Sequence, residues 1–155
     1  MALAIFFVPV PAKGVAEMVR VVRPGGTVAA YVWDMMGGGH PLELMHAEMR
    51  AMGFTPPLPP ASDVSRREAL QDLWASAGLS AVDVREITVQ RTFADFDDFW
   101  TTSMMAATVS STFATMPLSD AAELKTRMRR RLSVDEAGRI TCSARAIAIR
   151  GCVSK

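Results

Sequence analysis

Little in this chain favours a polyanionic partner. Seventeen basic residues stand against sixteen acidic ones, for a formal charge of +1, so no net field draws nucleic acid or an anionic membrane. The one basic run, Arg127 with Arg129, Arg130 and Arg131, is interleaved with Leu124, Met128 and Leu132 at four-residue spacing. That pattern reads as the solvated face of a helix, and it lacks the aromatics and broad patch of a nucleic-acid surface. Long apolar runs are missing too. Ala2 to Val10 is too short to span a bilayer, and no Lys or Arg precedes it as a secretory signal requires. Cysteine is scarce: Cys142 and Cys152 are the only two. They lie in one apparent strand that holds their Cα atoms about 33 Å apart, beyond disulfide reach. Free thiols and a cytoplasmic location are expected. The two histidines, His40 and His46, have neither an H-E-x-x-H spacing nor a cysteine partner, so no metal is expected. Ser110-Ser111 lacks a nearby histidine or nucleophile turn, which excludes serine hydrolysis.

What is present is a chain of 155 residues with 50% hydrophobic content. That suits one sizeable core, and a single domain over 1–155 is expected. The most informative stretch runs from Glu17 to Asp34. Val15, Met18, Val19 and Val22 recur at the spacing of one helical face. Pro24 stops the helix, and Gly25-Gly26 supply a tight turn. Thr27 to Trp33 is almost wholly apolar and β-prone, which predicts a strand covered on both faces.

Other elements follow from the same reading. Leu3 to Val8 reads as a short buried strand ended by Pro9 and Pro11, with a helix over 12–22. After the loop Met35 to His40 a helix starts at Pro41, with Leu42, Met45, Met49 and Met52 on one face and Gly53 as its stop. Four prolines between Phe54 and Ala61 make a stiff connector. Ser65-Arg-Arg-Glu68 is a capping box for a helix whose buried stripe is Leu70, Leu73, Trp74 and Ala77. Val82 to Phe93 is strand-like, and the parity change between Val84 and Ile87 suggests a bulge near Arg85-Glu86. Helices are expected over 95–116 and, capped by Ser119, over 120–132. Asp135 to Gly138 turns, and Ile140 to Cys152 is the last strand.

The block Glu17-Met-Val-Arg-Val-Val-Arg-Pro-Gly-Gly resembles the fourth helix, turn and fifth-strand entry of class I S-adenosylmethionine-dependent methyltransferases, whose pattern is E-x-x-R-V-L-(R/K)-P-G-G. The order of later elements resembles that family's second half, and Phe93 to Trp100 resembles members called type 11 methyltransferases. The resemblance implies an α/β fold: part of a Rossmann-like sheet of about four strands, the last two antiparallel, with covering helices. It implies S-adenosylmethionine as cofactor and a small apolar or aromatic methyl acceptor. The family holds its cofactor on a glycine-rich turn after the first strand and an acidic residue ending the second. Neither is found in this sequence, and only sixteen residues precede Glu17. The cofactor-binding N-terminal half is therefore expected to be absent, with no cofactor-binding residue assigned and no cofactor bound by this chain alone. Gly37-Gly38-Gly39 lacks the G-x-G-x-x-G spacing, since position 42 is Leu, and reads as a flexible loop.

By the same resemblance Phe7 borders the donor and acceptor, and Trp100 and Met104 line an apolar pocket. Tyr31, Trp33 and Asp34 close a strand on the edge where open α/β sheets place ligands. Asp34 could take a proton or cap a turn; the catalytic residues are not assigned. Two functions compete: a methyltransferase-family protein that is not catalytic in isolation, or a non-catalytic ligand-binding or dimerisation module descended from one. An exposed edge at Leu3 to Val8 predicts a homodimer.

Overall fold

The computed structural model describes residues 1–154. Its elements in chain order are α1 (Pro11–Val21), β1 (Thr27–Trp33), α2 (Glu43–Ala51), α3 (Arg67–Ser76), β2 (Leu79–Phe93), α4 (Phe96–Met104), α5 (Ala107–Ala114), α6 (Leu118–Arg131) and β3 (Ile140–Val153), with 3-10 turns at Ile5–Phe7 and Ser62–Ser65. The class is α/β, and the sheet order is β1-β3-β2. β3 runs antiparallel to β1, with Thr27 opposite Cys152 and Trp33 opposite Ala146. It is antiparallel to β2 as well, since Gln90 meets Ser143, Thr92 meets Thr141 and Ser80 reaches Cys152.

The sheet has three strands, because Leu3 to Val8 does not form the expected fourth. Leu3 donates to the Tyr31 carbonyl and Tyr31 to that of Met1. The chain then leaves the sheet, and Ile5 to Phe7 winds into a 3-10 turn. Ile5 and Phe6 are both buried. A strand sends consecutive side chains to opposite faces, whereas a turn can send two neighbours into the same core. The exposed edge strand on which dimer pairing was expected is therefore not there.

The chain divides into two compact units. The first comprises Met1–His40, Pro59–Val89 and the C-terminal stretch from Ala144. Its core joins Val28, Ala30 and Val32 of β1 with Ile147 and Ile149 of β3, Val15 of α1, and Leu70 and Trp74 of α3. Trp74 is fully buried and its indole Nε1 donates to the Val28 carbonyl at 3.2 Å. Gly151, opposite Val28, makes room: a Cβ there would lie 3.1 Å from the Trp74 ring and 3.0 Å from Leu79 Cβ.

β1 is covered on one face only. Its burial alternates, with Val28, Ala30 and Val32 inside and Thr27, Ala29 and Tyr31 exposed, the pattern of a half-covered strand. β2 changes which of its residues are covered along its length. Val82 and Val84 pack on the core while Ile87 and Val89 are exposed, so the parity switch marks a change in which face is apolar. Ser65 does not cap α3, whose N-cap Arg66 makes no side-chain cap bond. Its hydroxyl instead accepts from the Met35 amide at 3.2 Å.

The second unit comprises Pro41–Leu58 and Gln90–Ser143. Met45 and Met49 of α2, Phe96 and Phe99 of α4, Val109 of α5, and Leu124 and Met128 of α6 share its core with Phe93 and Ile140. The expected helix over 95–116 is two helices, and Asp95 caps the first by accepting from the Asp98 amide at 2.9 Å. Among the described residues no helix is long and apolar enough to cross a membrane.

Candidate functional site

The most tightly built polar feature lies where β1 ends. Asp34 follows Trp33, and its side chain is 9% exposed. Its Oδ1 accepts from the Gly37 amide three residues on at 2.7 Å, a local side-chain-to-backbone bond that holds the turn. Its Oδ2 accepts from Arg145 Nε at 3.0 Å and from Arg145 Nη2 as well. The same guanidinium donates to the Gly37 carbonyl at 3.0 Å. The backbone repeats the closure: Asp34 N donates to the Arg145 carbonyl, Arg145 N to the Gly39 carbonyl, and Gly39 N to the Asp34 carbonyl. The hydrogen bond to Asp34, and then its charge, push the Arg145 pKa up from its ordinary value. Charge-assisted bonds of this kind are the stronger class.

This latch accounts for the glycines. A Cβ on Gly37 would sit 2.3 Å from Asp34 Oδ2, and one on Gly39 would sit 2.8 Å from Arg145 Cβ. Positions 37 and 39 are glycine because the Asp34 carboxylate and the Cβ and carbonyl of Arg145 occupy the space side chains would need. That same occupancy makes Gly37 to Gly39 a poor fit for a cofactor, because their close approach is to this chain's own side chains. Asp34 accepts from an amide and from two guanidinium nitrogens, and these bonds pin the turn that follows β1. Arg145 was not picked out by sequence reasoning, and Ser65 only as a helix cap. A clue existed for the first: Arg145 is one of two charged residues in the otherwise neutral stretch Ile140 to Val153.

The remaining expected residues fall as follows. Tyr31 and Trp33 are two apart on the same side of β1; Tyr31 is 42% exposed and Trp33 packs partly on the core. Tyr31 borders an open hollow of about 520 Å³ on the uncovered sheet face, with Ala29, Ala148, Ile87, Arg85 and Arg150 around it. Phe7 is 59% exposed, its ring edge-on to Phe6 at 4.7 Å. Trp100 and Met104 belong to the second unit. There Trp100 stacks on Phe96 at 5.9 Å and meets Phe113 edge-on at 5.7 Å, with Lys125 Nζ over its ring. Met104 packs partly buried against the same core. Among the described residues no group of three or more His, Cys, Asp or Glu could hold a metal ion.

No protein-family model matches the sequence, and no curated protein matches it. Solved structures do. A "putative methyltransferase" of Bacillus halodurans is similar over 99% of this chain and 62% of its own, with a TM-score of 0.50 and 16% identity. The YcgJ protein of Bacillus subtilis is similar over the same shares, with a TM-score of 0.51 and 14% identity. The chain thus has a methyltransferase-like α/β fold and spans about 62% of the length of these neighbours.

Proposed function

We propose that this chain is the acceptor-side portion of an S-adenosylmethionine-dependent methyltransferase domain, contributing apolar and aromatic surface for a small acceptor and not catalysing transfer by itself. The observation that carries the reading is the β1-β3-β2 order, with β3 antiparallel between its neighbours, in a fold similar to the two solved structures. Methyl transfer needs donor and nucleophile held in line at about 3 Å. Within this chain the acidic residue best placed by sequence, Asp34, is already tied to Arg145 and Gly37. The commitment of that carboxylate also favours the second reading, a non-catalytic binding module. Calorimetric titration with S-adenosylmethionine at micromolar protein should give no binding heat. Low-micromolar affinity would overturn the reading of an incomplete cofactor site. A saturable quench of tryptophan fluorescence by an aromatic ligand, weakened more by Trp100→Ala than by Trp74→Ala, would support the acceptor surface.

A further inference from the structure

From Phe99 to Ser119 the chain has no Lys, Arg, Asp or Glu, and α5 lies inside that stretch. The helices on either side of it are pinned. α4 is capped by Asp95 and has Asp97 and Asp98 in its first turn. α6 has Asp120 at its start and three arginines in its last turn, with ion pairs from Arg127 to Glu123, Arg129 to Asp97 and Arg131 to Glu48. α5 has none of these. Its N-cap is Ala106, no side chain caps it, and neither end turn carries a charge that complements the helix dipole. It is eight residues long, and Thr108-Val-Ser-Ser-Thr112 is a run of weak helix formers. Ser110 and Thr112 donate their hydroxyls to the helix's own carbonyls, to Ala106 at 3.2 Å and Thr108 at 2.9 Å. Such bonds tie the helix to nothing outside it. A helix this short is not stable by itself in water, so its packing keeps it folded.

That packing rests on a few side chains. Val109 and Thr112 are buried, Phe113 meets the Trp100 ring edge-on at 5.7 Å, and Thr108 Oγ1 lies 3.2 Å from His46 Nε2 of α2. Met105 and Leu118, on either side of the helix, are both exposed, so the flanking chain can pivot. Elements with little buried apolar surface and unsupported ends open most easily in a fold. Trp100 does not depend on α5 for its place. Its ring stacks on Phe96 at 5.9 Å, and Lys125 Nζ lies 5.5 Å from the ring centre. Departure of Phe113 therefore bares a ring that is already fixed, to which another aromatic group can pack. Lys125 beside it repels a cation.

We propose that α5 is a lid: it opens on Met105-Ala106 and on Thr115 to Pro117 while α4 and α6 stay folded, and the place that Phe113 vacates on Trp100 admits a flat aromatic ligand without positive charge. The admission of a ligand rests on the acceptor-surface reading given above; the opening of the helix does not.

Native-state hydrogen exchange tests the opening. Amides of residues 112–114 should exchange faster than those of residues 124–128 in α6, and low urea should leave their rate unchanged, because a local opening exposes little surface. Ser110→Ala with Ser111→Ala puts the strongest helix former at two exposed or half-buried positions. It should slow exchange at 112–114 about fivefold and leave the α6 amides as they were. Calorimetric titration with 2-naphthol tests the admission. The probe should bind, and the paired substitution should weaken binding by the same factor, since apparent affinity scales with the open fraction. Exchange at 112–114 that follows α6 in rate and in urea dependence would overturn the lid, whether or not 2-naphthol binds. Local opening with no binding of 2-naphthol would overturn the admission and the acceptor surface with it. Binding that the paired substitution leaves unchanged would show that α5 does not gate the site.

Discussion

The two units of this chain are held together by different means. In the first, a sheet fixes positions by register, and polar groups meet partners distant in sequence. Trp74 Nε1 meets the Val28 carbonyl, Asp34 meets Arg145 111 residues away, and glycines stand where a methyl would collide. In the second, helices surround a core with four buried methionines, Met45, Met49, Met116 and Met128, side chains that adapt to irregular space. Its rings are closed from outside by cations: Arg129 over Phe96 at 3.9 Å, Lys125 over Trp100 at 5.5 Å and Arg91 over Phe93 at 4.7 Å. The contrast teaches that tolerance to substitution should differ between the units, being low where register and close approach decide and high where flexible apolar groups fill space.

The strongest way to break that contrast is a pair of core changes. Trp74→Ala removes a fully buried ring and leaves the Val28 carbonyl without its donor, at a cost of about 3–5 kcal/mol. Met49→Leu, at an equally buried site of the second unit, should cost less than about 1.5 kcal/mol. Urea unfolding of both variants reads the difference, and similar losses would erase the distinction drawn between the two cores.

A smaller effect is expected at the latch. Asp34→Asn keeps an acceptor but removes the charge facing Arg145, and should cost about 1–2 kcal/mol. The lower figure is the better guide, since the Arg145 side chain is 38% exposed and water screens the pair. Hydrogen exchange should be faster at the Gly37 and Gly39 amides than in the unaltered chain, while amides of α6 keep their protection. Unchanged exchange at both glycines would mean the loop is held without the ion pair.

The smallest effect is a pH dependence confined to the second unit. His46 is buried, with Nε2 3.2 Å from Thr108 Oγ1. Burial lowers its pKa below the usual histidine value, against the pull of the Glu43 carboxylate and with a further push from Arg50. A folded pKa below the unfolded one means the unfolded chain takes up the proton first as pH falls. Stability is therefore full above the unfolded pKa of about 6.5 and declines as pH drops through it toward the lower folded value. Denaturation midpoints at about pH 7.5 and pH 5.5 should differ in that direction, and His46→Gln should shrink the difference. A midpoint that rises on acidification would contradict the burial argument.

The sequence by itself determined much of this fold. The apolar period of α1, the Pro24-Gly25-Gly26 stop, β1, the long closing strand and the burial of Leu70 and Trp74 all follow from local pattern. Such patterns work because a helix face or strand repeats its burial every few residues, whatever lies opposite. The order of those elements also carried the methyltransferase-like α/β class. Tertiary structure decided the rest. Leu3 to Val8 reads as a strand by composition, but the core drew in both Ile5 and Phe6, and a turn was the geometry that could deliver them. Ser65 had the spacing of a cap, but the Met35 amide claimed its hydroxyl. Nothing near Asp34 in the chain says that its partner is Arg145, and the reason for Gly39 is invisible until the Arg145 backbone is in place beside it. The open face of β1 was equally unreadable, since apolar β-prone residues look alike whether one face or both are covered. Each of these outcomes was set by groups distant in sequence, and a local pattern holds no record of what packs against it.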